Sequence, residues 1–135
     1  MSYNLFLDDE RIPHDVKWIE LPLVEWTIAR SYTDFTRIVS SLGLPRRVSF
    51  DHDLADQHYP WTPENQEAYK NAKDPLVIPY DKYKEKTGYE CAKWLVAYCI
   101  ERGYTFPEYF VHTMNPIGKE NIIQYIESYR KHGEV

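Results

Sequence analysis

Val48-Ser49-Phe50-Asp51-His52-Asp53, residues 48–53, decides how this chain is read. A brief apolar run that stops at charge is too short for a helix and suits a buried strand that delivers carboxylates at its carboxyl end. The same pattern opens the chain, where Leu5-Phe6-Leu7 runs into Asp8-Asp9-Glu10. It returns at Tyr109-Phe110-Val111-His112, a strand introduced by Pro107 and ending on a histidine. Val24 to Ala29, rich in β-branched and aromatic residues, supplies a further strand, second in chain order.

Between the strands the period changes to that of a helix. Tyr32, Phe35, Ile38, Val39 and Leu42 recur at helical spacing, with Ser31 placed to cap, Asp34 at the capping-box position and Gly43 placed to terminate. After Thr87-Gly88, with Thr87 as the expected cap, Ala92, Leu95, Val96 and Cys99 share a face and Gly103 stops the helix. Asn115-Pro116 pairs a good capping residue with the residue type favoured in the first turn, and Ile122, Ile123, Ile126 and Tyr129 continue towards Gly133. Residues 55–86 differ in composition: they carry four prolines and many Tyr, Lys and Glu, and read as an insertion after the third strand. The order β, β, α, β, insertion, α, β, α predicts a small α/β fold. Its parallel sheet of about four strands has right-handed crossovers and is flanked by helices. In a flavodoxin-like order the first, third and fourth strands are neighbours, so their polar ends meet in one crevice.

The 135 residues suit a single domain, 1–135, with 43% apolar residues to build its core. A net charge of −5 disfavours an extended nucleic-acid groove, while a nucleotide or a strand end can bind if a cation offsets the acid. Cys91 and Cys99 are two helical turns apart, too far to bridge. They read as reduced core residues of a cytoplasmic protein, and no apolar run approaches the ~20 residues that span a bilayer.

Several carboxylates in one crevice repel one another unless a cation joins them, and hard oxygen ligands favour Mg²⁺ or Mn²⁺. Asp8, Asp9 and Asp51 are the expected ligands, with Asp53 as an additional or outer one. If the third strand continues, Asp51 and Asp53 share a face and His52 points away, as a hydrogen-bonded supporting group. The N-terminus of the last helix, with Asn115, Pro116 and Gly118, offers an anion site. Arg11 can reach a phosphate as a bidentate donor. His112 is the expected general acid or base, because an unperturbed imidazole titrates near neutral pH. The aromatic residues of the insertion can stack a base, and the insertion itself is expected to lie over or beside the crevice.

Four ordered motifs, Leu5-Phe6-Leu7-Asp8-Asp9-Glu10-Arg11-Ile12-Pro13, Ser49-Phe50-Asp51-His52-Asp53-Leu54, Thr87-Gly88-Tyr89 and His112-Thr113-Met114-Asn115-Pro116-Ile117-Gly118, resemble those of the cyclic-phosphate-processing receiver-like family. The resemblance spans the chain apart from the insertion. It implies a phosphorelay-receiver fold whose acidic pocket processes 2′,3′-cyclic phosphate ends of RNA or nucleotides. In that reading His112 and Asp51 are catalytic, and Arg11, Thr113, Asn115 and Gly118 bind substrate. The family pattern usually has Ser after the His, and Thr113 keeps the hydroxyl. No fifth strand ending in Lys, which ordinary receivers use to sense a phosphoryl group, is legible. The alternatives are a non-catalytic receiver-like module that binds a nucleotide or protein partner or accepts phosphate on Asp51, and a scaffold that docks a protein through the insertion.

Overall fold

The computed structural model describes residues 2–54 and 86–133. Its sheet has four parallel strands, β1 (Asn4–Leu7), β2 (Thr27–Ala29), β3 (Arg47–Phe50) and β4 (Glu108–Val111), in the order β2-β1-β3-β4. β1, β3 and β4 are therefore neighbours, as a flavodoxin-like order requires. The register aligns Phe6 with Ile28 and Ser49, and Ser49 with Phe110. The expected excursion over the crevice lies outside the described residues.

Strand alternation sorts the sheet into two unlike faces. Leu5, Leu7, Val48, Phe50 and Val111 point to one face, where they form a single core with Phe35, Ile38 and Val39 of α1 (Tyr32–Leu42). The same core takes in Leu95, Val96 and Cys99 of α2 (Gly88–Arg102) and Ile122 and Ile126 of α3 (Pro116–Gly133). Phe6 and Ser49 point to the other face, where Trp26, from the segment leading into β2, meets Phe6 edge-on with ring centroids 6.2 Å apart. That segment contains one 3-10 turn, Pro13–Asp15, and stands where a crossover helix would otherwise run. Cys91 and Cys99 are buried and not joined in a disulfide. Among the described residues no helix is long and apolar enough to cross a membrane.

Local signals act largely as the sequence implies. Ser31 Oγ accepts from Asp34 N at 3.0 Å, although the Asp34 carboxylate accepts from Arg30 N and so closes the box one residue early. Gly43 and Gly103 take positive φ, 88° and 70°, which a side chain would resist. Two details differ. β2 is only Thr27–Ala29, because Val24 is exposed and Pro22 O accepts hydrogen bonds from Val24 N and Trp26 Nε1, which turns the chain before it can join the ladder. Thr87 occupies the cap position of α2 but makes no side-chain bond to the helix.

Candidate functional site

The carboxyl ends of β1, β3 and β4 bring Asp8, Asp51, His112 and Thr113 into one buried pocket; Asp8 and His112 are 0% exposed, and Asp51 and Thr113 nearly so. Main-chain bonds lock the three strand ends together: Asp8 N donates to Ala29 O, Asp51 N to Leu7 O and His112 N to Phe50 O. Each side chain thus leaves its strand at the same level.

Asp8 is held from three directions. Its Oδ1 accepts from the N–H groups of Glu10 at 3.0 Å and Arg11 at 2.9 Å, and its Oδ2 lies 3.0 Å from His112 Nε2. Burial pushes the Asp8 carboxyl up, but the bonds from His112, Arg11 and Glu10 together outweigh it, and the group is held below the ordinary carboxylate value. Asp51 goes the other way. Burial first, and then the charge of Asp8, push it up to about 6. The attraction of His112, the His52 N–H at 2.9 Å and the Thr113 hydroxyl offset only part of this. One carboxylate is thus fixed as an anion and its neighbour is poised close to neutrality.

Asp8, Asp51 and His112 each bring a potential ligand atom within 4.8 Å of the others, so this group could hold a metal ion. The donor set fits one: two buried carboxylates, one of them pushed up by burial and by the other's charge, are the kind of oxygen donors a divalent cation would join. Arg11, 3.9 Å from Asp8 Oδ2, is a distant partner whose guanidinium lies over the Trp18 ring.

Asp9 and Asp53 stand outside this group. Asp9 is half-buried. β3 ends at Phe50, so the alternation that would align Asp53 with Asp51 does not continue. Asp53 is instead partly exposed and bonds His52 Nδ1 at 2.9 Å. His52 points away from the pocket and against α3, where a Cβ on Gly118 would lie 2.4 Å from His52 Cγ. Gly118 is needed for that contact, and its N–H is capped by Asn115 Oδ1 at 3.0 Å. Asn115 and Gly118 therefore build the helix start beside the pocket, with Asn115 N bonded to Thr113 Oγ1 at 3.2 Å. Gly88 has a similar reason. Its N–H donates to His52 O, and a Cβ there would fall 1.6 Å from Asp51 O, so α2 starts directly against the turn that carries Asp51.

Three supporting residues were assigned no role from the sequence. Ser49, fully buried on β3, places its Oγ 2.7 Å from His112 Nδ1, and its position two before Asp51 is the signal that would have found it. Arg30 Nη1 donates to Asp8 O and Arg11 O, tying down the loop after β1 from 22 positions away. Trp18 Nε1 donates to His112 O at 2.6 Å from an irregular segment without a pattern to read.

Residues 3–128 match the family model of the cyclic-phosphate processing receiver domain. No curated protein and no solved structure matches the chain.

Proposed function

The chain belongs to the cyclic-phosphate processing receiver domain family, and from that premise we propose that it is a metal-assisted phosphoesterase that opens a 2′,3′-cyclic phosphate on an RNA end or a nucleotide. The observation that carries this reading is the buried pair of Asp8 and Asp51, one anionic and the other pushed up to about 6 beside it. Asp8 and Asp51 would hold Mg²⁺ or Mn²⁺, and the bound cation would supply positive charge to the phosphoryl oxygens.

Ring opening forms one P–O bond to water and breaks one P–O bond to the ribose, so one proton leaves the water and one reaches the departing oxygen. Asp51 would take the water's proton and give one to the departing oxygen through the carboxylate oxygen that is not on the cation. His112 already has partners on both ring nitrogens, Ser49 and Asp8, and supports the step by keeping Asp8 charged and in place. Arg11, Thr113 and the start of α3 at Asn115 and Gly118 would contact the non-bridging oxygens. The net charge of −5 favours a small nucleotide or a strand end over a long backbone tract.

The test is incubation with a panel of 2′,3′-cyclic nucleotides and cyclic-phosphate RNA ends, with and without Mn²⁺, and product analysis by mass. Metal-dependent gain of water by at least one substrate is expected. No turnover, together with labelling of Asp51 by a small-molecule phosphodonor, would favour a non-catalytic receiver-like module.

A further inference from the structure

Trp18 comes from an irregular segment, yet its indole is held in one place. Nε1 donates to His112 O at 2.6 Å, which pins one edge of the ring to the end of β4, while 39% of the residue stays open to solvent. The segment does not need this ring for its anchorage, because Val16 is buried and Trp26 packs edge-on against Phe6. A fixed, partly open aromatic ring beside a polar site is a surface on which a flat ligand can stack at little ordering cost. The Arg11 guanidinium lies over this ring, 5.2 Å from its centroid and 3.9 Å from Asp8 Oδ2, and so links the carboxylate pocket to the indole. Ile12 and Met114, both exposed, add apolar surface to the loops after β1 and β4.

We propose that Trp18 is the platform on which the nucleobase of the ligand stacks, and that the ring face under Arg11 is vacated when the guanidinium moves to the phosphate. The backbone of Arg11 is tied down, with its N–H on Asp8 Oδ1 and its carbonyl on Arg30 Nη1. Its guanidinium is held loosely: the ion pair to Asp8 is longer than a hydrogen bond, and the side chain is one-third exposed. Two phosphate oxygens offer that guanidinium shorter, bidentate bonds. The cation–π contact it gives up is then replaced by a stack of base on indole. The ligand class is a ribose that carries both a cyclic phosphate and a base, with the phosphate at Asp8 and Asp51 and the base on Trp18. A stack uses the π-face and reads no base edge, so purines and pyrimidines are both accepted. This inference rests on the phosphate binding of the proposed function but not on turnover.

The test is a calorimetric comparison, with Mn²⁺ present, of two slowly hydrolysed ligands: adenosine 2′,3′-cyclic phosphorothioate and the same cyclic phosphorothioate of methyl riboside, which has no base. Wild type is expected to bind the adenosine compound about tenfold or more tightly than the baseless one. Equal affinities overturn the proposal without any variant being made. In Trp18→Leu the gap should close, with the baseless compound little changed, whereas Trp18→Phe, which keeps a ring but loses the bond to His112 O, should retain most of it. Damage to the pocket would weaken both ligands together and leave the gap intact, so an unchanged gap in folded Trp18→Leu also overturns the proposal. The mononucleotide comparison decides it, and a trinucleotide ending in the same group, bound or excluded, tells a strand end from a free nucleotide as the source. A protein that shows the gap but turns over no cyclic phosphate refutes the hydrolase reading alone, and one that binds neither compound refutes the ligand class on which both rest.

Discussion

Phe6 and His112 stack face to face, with ring centroids 4.4 Å apart and planes within 7° of parallel. The stack fixes the plane of the imidazole while Ser49 and Asp8 fix its ends. His112→Ala removes a filled volume and leaves two buried polar groups without their partner. It is expected to destabilise the fold by about 2–5 kcal/mol and to raise the Asp8 carboxyl towards its ordinary value. Chemical denaturation at neutral pH checks the first effect and carboxyl NMR titration the second. His112→Asn, which keeps part of the polar contact, should lose less.

Asp51→Asn should stabilise the metal-free protein. The native carboxyl is pushed from 3.8 up to about 6. The fold thus holds this proton more tightly than the unfolded chain does. The resulting stability is present below 3.8 and is lost as the pH rises through about 6. At pH 7.5 the variant escapes that loss, a gain on the order of 1–3 kcal/mol. It should also lose most of its response to Mn²⁺. Thermal melts of both proteins, with and without the metal, decide it, and a variant that responds as wild type does would remove Asp51 from the site.

Cation and proton compete for the same carboxylate. Mn²⁺ affinity should fall by about tenfold between pH 7 and pH 5, as Asp51 takes up its proton, and binding at pH 6 should release about half a proton per cation. Calorimetric titration in buffers of different ionisation enthalpy measures that release directly. Asp8, held below the ordinary value, changes little over the same interval.

Gly88→Ala and Gly118→Ala separate two kinds of close approach. The first would drive a Cβ into the backbone carbonyl of Asp51, and the second into the His52 ring. Backbone cannot swing aside, so Gly88→Ala should cost about 3 kcal/mol or prevent soluble expression. Gly118→Ala should cost less, because the imidazole can turn, but it should break the His52–Asp53 contact. Unfolding midpoints of the two variants test the order.

Much of the fold was legible because it is written in short-range signals. Leu5-Phe6-Leu7 and Val48-Ser49-Phe50 are too short for helices, Gly43 and Gly103 sit where helices must stop, and three polar strand ends imply one crevice once the strand order is known. The membership of Asp8, Asp51 and His112 followed from that. What did not follow depends on details beyond a local pattern. Asp53 leaves the cluster because β3 ends three residues earlier, and its carboxylate turns to His52. Gly118 was read for phosphate, and nothing local shows that its lack of a side chain is also needed by the His52 ring. Arg30 and Trp18 reach the pocket from segments whose local sequence carries no sign of it.

The bond between Asp8 and His112 joins residues 104 positions apart, and this has a kinetic consequence. No growing chain shorter than 112 residues contains both ends of it, and closing so long a loop costs more entropy than pairing neighbouring segments does. A cation that needs this pocket therefore finds no template in the unfolded ensemble or in an early intermediate. It should leave the folding rate almost untouched and slow unfolding instead, acting as a latch that engages after assembly rather than as a nucleus that starts it.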